Sequence, residues 1–129
     1  MPASSDASAW LHKAGNDLLC IRNNLAAAEV PTDSVCFHAQ QAAEKAVKAL
    51  IAARGIAPQK SHDLTTLLND STDAGWKVEQ LRTHCDIVNP YSVAARYPGV
   101  QLDPTLVEAR RSAAAGEEIV RLVKSMLGV

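Results

Sequence analysis

The strongest constraint on how this chain folds is a run of small apolar residues set at helical spacing between Pro31 and Gly55. On a wheel of about 100° per residue, Val35, Cys36, Ala39, Ala42, Ala43, Ala46, Val47, Ala49, Leu50 and Ile51 fill an arc of roughly 200°. An arc that wide must be covered from two sides, and its alanines let the covering helices come close. Thr32 and Asp33 suit an N-cap and Gly55 suits a helix end, so the spacing predicts a helix running to Arg54. The rest of the wheel holds His38, Gln41, Glu44, Lys45 and Lys48 together with Phe37, the single phenylalanine, while Gln40 falls inside the apolar arc.

Partner helices are legible on either side. Trp10, Ala14, Leu18, Ile21, Leu25 and Ala28 form one stripe at spacings of three and four, and Pro31 stops it. Residues Met1 to Ser8 are small and polar and read as a flexible tail or early helix cap, leaving 9–129 as a single domain. Beyond Gly55 and Pro58, Ser61 or Asp63 caps a short helix around Leu64, Leu67 and Leu68, and a fourth helix starts near Gly75 with Trp76, Val78, Leu81, Cys85 and Val88. The stretch from Asn89 to Asp103 contains Pro90, Pro98 and Gly99 and reads as a long loop. Asp103-Pro104 then looks like a helix start, with Leu106, Ala109, Ala113, Gly116, Val120, Val123 and Leu127 as the final stripe. Nothing alternates with period two. The expected fold is all-α: an antiparallel, up-and-down bundle of four or five helices with a long loop before the last. Aromatic residues are 4% of the 129 against 47% hydrophobic, which suits an aliphatic core between helices better than a sandwich.

Charge and cysteine usage remove several function classes. Thirteen Lys and Arg against fourteen Asp and Glu leave a formal charge of −1, which argues against a bulk electrostatic nucleic-acid binder but permits a local basic patch. Cys20, Cys36 and Cys85 contain no C-x-x-C pair, no targeting segment opens the chain, and no window approaches a membrane span. A reducing cytoplasm, no membrane, no metal and no cofactor are the expectations.

The candidate site residues each admit two readings. Lys60 and His62 precede a helix whose free N–H groups favour a phosphate, although Ser61, His62 and Asp63 equally serve as caps. Arg96 between Tyr91 and Tyr97 offers a guanidinium fork and two flat rings, able to hold a phosphate and stack a base. The alternative pairs Arg96 with Glu44 and leaves the tyrosines closing the end of the bundle. Gln41, Lys45 and Lys48 share one face, either lining a groove or forming a solvated surface with Glu44–Lys48 pairing. Phe37 on that polar face needs cover from the loop or a second subunit, and Gln40 needs a hydrogen-bond partner, for which its symmetry mate in a dimer is one option. His12, His38 and His84 show no paired acid at a convincing spacing, the cysteines read as small core residues, and no residue is assigned a catalytic role.

Three segments in order carry a family resemblance: Phe37-His38-Ala39-Gln40-Gln41-Ala42-Ala43-Glu44-Lys45-Ala46-Val47-Lys48-Ala49-Leu50, then Lys60-Ser61-His62-Asp63-Leu64, then Tyr91-Ser92-Val93-Ala94-Ala95-Arg96-Tyr97-Pro98-Gly99. Together with the flanking helices they resemble a HEPN domain, in the branch with a Tyr-x4-Arg-Tyr-Pro segment. The resemblance implies a nucleotide- or RNA-binding helical bundle of the prokaryotic cytoplasm. It further implies a homodimer that works with a minimal nucleotidyltransferase in a toxin–antitoxin-like pair. Many HEPN branches are metal-independent ribonucleases with an Arg-x4-6-His motif, and none of Arg22, Arg54, Arg82, Arg96, Arg110, Arg111 or Arg121 has a histidine at that interval. A ribonuclease with other Arg and His residues, and a purely structural partner protein, are the alternatives.

Overall fold

A computed structural model describes residues 5–92 and 103–129. The described residues form α1 (Ser5–Leu25), α2 (Thr32–Ala53), α3 (Leu64–Asp73), α4 (Glu79–Val88), a 3-10 turn over Asn89–Tyr91, and α5 (Leu106–Leu127), with no strand among them.

Side-chain neighbours fix the directions of the helices. Trp10, early in α1, lies under Lys48, late in α2, and Asp17 further along α1 meets Lys45 and His38, so α1 and α2 are antiparallel. Cys36 lies beside Ser112 and Ala39 beside Gly116, so α2 and α5 run the same way. Residues 86, 87 and 91 share a cleft with 108, 111 and 112, whereas His84 lies closer to Glu118, so α4 and α5 are antiparallel. Helices α1, α2, α4 and α5 therefore run alternately up and down, as expected for an up-and-down bundle. The most extensive packing joins α2 to α1 and then α2 to α5, which is how the wide apolar arc is covered from two sides. Ile21, Leu50, Leu64, Leu67, Leu81 and Ile119 have no exposed surface and form the centre of the core.

Several boundaries move from their expected places, each for a local reason. Helix α1 begins at Ser5, and Ala7 is fully buried, so residues 5–8, expected in the flexible tail, belong to the helix. Ala7 extends the stripe backwards, one turn before Leu11 and two before Ala14, and Asp6 in the first turn complements the helix dipole. At its other end α1 stops at Leu25, and Ala28 is exposed outside it. Pro31 pushes the residue before it toward extended backbone, so the helix has to unwind several residues earlier. Pro31 itself occupies the N-cap of α2, and neither Thr32 nor Asp33 caps. Helix α4 starts at Glu79 rather than near Gly75. Gly75 turns the chain at φ +98°, and the Trp76 indole then donates to the Leu50 carbonyl at 2.7 Å. That carbonyl lies in the last turn of α2, where no intrahelical donor remains. The last helix is capped by Thr105 rather than by Asp103. The Thr105 hydroxyl accepts the Glu108 N–H at 3.1 Å and the Glu108 carboxylate accepts the Thr105 N–H at 3.0 Å, a capping box that satisfies two terminal donors at once.

One close approach sets the α2–α5 spacing. A Cβ added to Gly116 would stand 3.2 Å from both the Cα and the carbonyl oxygen of Ala39, tighter than ordinary van der Waals contact, so a side chain here would have to push the two backbones apart by a few tenths of an ångström.

Candidate functional site

The polar stripe of α2 is not a solvated face. Its residues are drawn into two clusters, each organised by a buried carboxylate.

Asp17 of α1 anchors the first. It is 6% exposed, accepts from Lys45 Nζ at 2.6 Å and pairs with His38 Nδ1 at 2.8 Å. His38 therefore has an acid partner that its own helix does not supply, and its ring stands edge-on to Phe37 with centroids 5.4 Å apart. The signal for Asp17 was present in the sequence, since it stands between Ala14 and Ile21 on the buried side of α1.

Glu44 anchors the second cluster at 3% exposure. Its Oε2 accepts from Lys48 Nζ at 3.1 Å, and its Oε1 lies 2.9 Å from His62 Nδ1 and 3.4 Å from Gln40 Nε2. Lys48 also lies 5.3 Å from the centre of the Trp10 ring, a cation–π contact that helps shelter a nearly buried ammonium. Gln40 is fully buried and satisfied within the chain: its Nε2 donates to the His62 carbonyl at 3.0 Å, and its Oε1 accepts from Gln41 Nε2 at 2.7 Å. The hydrogen-bond partner that Gln40 needs is thus found within the chain and not in a symmetry mate, the option raised above, and a side chain with no exposed surface offers nothing to an interface. No buried side-chain nitrogen or oxygen lacks a partner among the described residues.

His62 is the outlet of this cluster. Its side chain is 52% exposed while its Nδ1 is held by the buried carboxylate, so the ring is tethered on one side and open to solvent over about half its surface. Lys60 is exposed two residues earlier. The helix terminus behind them is not a free anion site. Asp63 caps α3 with both Thr65 and Thr66 N–H at 3.4 Å, and the remaining Leu64 N–H donates to Asn89 Oδ1 at 2.9 Å. A phosphate here would rest on the His62 and Lys60 side chains alone.

Asn89, which belongs to no motif and no apolar stripe, ties two candidate segments together. Besides accepting from Leu64 it donates to Asp63 Oδ1 at 3.0 Å, and this bond is the main cause holding the Asp63 carboxyl below its ordinary range. The same side chain anchors the turn that carries Tyr91. Tyr91 lies against Cys36 and Ser112, where burial pushes both the phenol and the Cys36 thiol up. Cys85 is buried too, with its thiol pushed up to about 12, whereas Cys20 is exposed and so departs from the expected core role.

Of the expected site residues, the structure brings Gln41, Lys48 and His62 together around Gln40 and Glu44. Lys45 is drawn to Asp17, Tyr91 sits beyond Asn89, and Lys60 flanks His62. The lysine pair is held against carboxylates rather than lining a groove, because α1 packs over that face. Arg96 and Tyr97, with the remainder of their segment, lie outside the described residues. Among the described residues, no three His, Cys, Asp or Glu side chains converge to hold a metal ion, and no helix is long and apolar enough to cross a membrane.

Comparison with known proteins adds to this geometry. The family model described as HEPN domain matches residues 7–126. The crystal structure of TT1696 from Thermus thermophilus is similar to the chain with a TM-score of 0.80 and 27% sequence identity, covering 95% of this chain and 98% of that one. No curated protein sequence matches.

Proposed function

Because the chain belongs to the HEPN domain family, we propose that it is a nucleotide- or RNA-binding module that works as a homodimer with a minimal nucleotidyltransferase in a toxin–antitoxin-like pair. The observation that best supports the reading is the Glu44–His62 pair. A buried carboxylate, already satisfied by Lys48 and Gln40, holds a half-exposed imidazole in one orientation beside an exposed lysine. A ring fixed in advance loses little freedom when it meets a phosphate, which is where a surface histidine usually gives up affinity. Lys60 supplies charge. Arg96 and Tyr97 complete the site in this proposal, as a phosphate fork and a stacking ring.

The test is thermal unfolding of the purified protein with ATP and with a short single-stranded RNA. A ligand that binds only the folded state raises the melting temperature by mass action. The shift is expected in the wild type and is expected to shrink in His62→Ala, Lys60→Ala and Arg96→Ala, with Glu44→Gln weakening it through loss of ring orientation. No shift with either ligand in the wild type rejects the reading. Light scattering at increasing concentration tests the dimer, and co-elution with a minimal nucleotidyltransferase from the same genome tests the partner.

The same pair gives a second reading its footing. A half-exposed imidazole held at Nδ1 by a carboxylate suits a proton-transfer group, as a metal-independent ribonuclease requires. Incubation of metal-free protein with labelled RNA decides it: cleavage lost in folded His62→Ala makes the chain an enzyme, and intact RNA leaves the binding module.

A further inference from the structure

The cleft between α4 and α5 is separate from the His62 site, and its lining includes neither His62 nor Lys60. Each helix presents one face to it at spacings of three and four: Thr83, Asp86 and Ile87 from α4, and Glu108, Arg111 and Ser112 from α5, with Tyr91 closing one end. The hollow measures about 370 Å³, enough for a small organic molecule.

The charges in this cleft are not spent on each other. Neither Asp86 nor Arg111 makes an ion pair among the described residues; Asp86 is partly offset by Arg82, one turn earlier on α4, whose guanidinium it helps to hold charged, while Arg111 faces the hollow with no such partner. Glu108, one turn before Arg111, is turned to its own N-cap, where the Thr105 N–H and hydroxyl keep it ionised. The rest of the lining is neutral. Ser112 is buried, Tyr91 rests against it and against Cys36, and burial keeps both the phenol and the thiol protonated. A ligand therefore meets one guanidinium fork, two carboxylates, and an apolar and aromatic surface from Ile87 and Tyr91.

That arrangement selects a charge pattern. A phosphate monoester would bring its dianion to a single cation beside two carboxylates. A simple amine would satisfy Asp86 and leave Arg111 unmatched, and a simple carboxylic acid would do the reverse. A molecule with both groups on one carbon satisfies both walls and leaves its side chain for Ile87 and Tyr91. We infer that the α4–α5 cleft binds a free α-amino acid with an apolar side chain, its carboxylate on Arg111 and its ammonium on Asp86. This is a small-molecule site separate from the proposed nucleotide site, and it stands whether or not that proposal does.

The experiment is titration calorimetry on the full chain with L-leucine and L-phenylalanine. Isoamylamine and 4-methylpentanoate serve as the decarboxylated and deaminated forms of leucine, and AMP as an anionic competitor. At least one of the two amino acids is expected to bind, both analogues to bind at least about tenfold more weakly because each leaves one charged partner unmatched, and AMP not to displace the amino acid. Arg111→Gln and Asp86→Asn are each expected to weaken binding by a similar factor. Both side chains are exposed, so the fold should survive, and the analogues test the idea on the wild type in any case. Absence of binding by either amino acid, equal binding of the amine or the acid, displacement by AMP, or affinity unchanged in both variants each overturns the assignment.

Discussion

The two faces of α2 achieve burial by opposite means. Toward α5 the helix is lined with small residues, and Ala39 meets Gly116 so closely that a single methyl group would crowd it. Toward α1 and the segment before α3 it buries Glu44, Lys48 and Gln40, with Asp17 facing it from α1, and every one of these is matched to a partner. The small-residue seam gains from contact between aliphatic surfaces and tolerates no added volume. The polar seam gains little net energy, because taking charges out of water offsets most of their attraction, yet it fails badly when one member is removed. The comparison teaches that stability and orientation are separated in this bundle. Aliphatic packing against both α5 and α1 holds the helices together, and the Glu44 cluster sets where His62 is held.

The largest effect should come from breaking the polar seam at its centre. Glu44→Ala leaves the Lys48 ammonium buried without a carboxylate and frees His62, and is expected to cost about 3–5 kcal/mol of stability in chemical denaturation. Replacing both charges, Glu44→Leu with Lys48→Met, removes the unmatched cation and should recover most of that loss. In a folded double variant the His62 ring loses its anchor, so ligand binding at His62 should stay impaired while stability returns. A double variant as unstable as Glu44→Ala would show that the seam stabilises through Gln40 and His62 instead, and would undo the separation drawn above.

The small-residue seam breaks in the other direction, by addition. Gly116→Leu drives a side chain into the Ala39 backbone and should cost about 1–3 kcal/mol or more, since packed interiors yield little. Its signature differs from that of Glu44→Ala. The helices separate, so Cys36, buried between α2 and α5, should react with a thiol reagent faster than in the wild type, where the exposed Cys20 is expected to react first.

The same contrast explains what the sequence could reveal. The α5 side of α2 was legible because a run of alanines at helical spacing has one physical use, and its partner stripe of Ala109, Ala113 and Gly116 repeats the pattern. The polar side was not, because Glu44 and Lys48 at a spacing of four read equally well as a solvated pair, and only the placement of α1 over them decides the matter. Asp17 on a buried stripe was the one local clue. Asn89 offered none: its role depends on the end of α4 meeting the start of α3, which no spacing encodes. The helix starts at Glu79 and Leu106 were displaced for a related reason, since a capping box and an indole reaching back to α2 outweigh nearby glycine and proline signals.

The smallest expected effect probes the link between His62 and the turn that carries Tyr91, and it depends on pH. Asp63 caps α3 and accepts from Asn89, so its carboxyl is held below its ordinary range. A depressed folded value means that the ionised form is favoured by folding. The stabilisation is therefore complete above the unfolded value of about 4 and is lost as pH falls through the folded one. Glu108 shifts in the same direction through its capping box, so acid should loosen the starts of α3 and α5 together. Asp63→Ala removes the cap and should cost about 1 kcal/mol at neutral pH. Asp63→Asn keeps a capping oxygen but cannot titrate, so its stability should differ from wild type at pH 7 and converge with it in acid. Urea midpoints of the three proteins across this range check the prediction. Parallel acid limbs in wild type and Asp63→Asn would mean that Asp63 only caps its helix, and that the polar seam ends at His62.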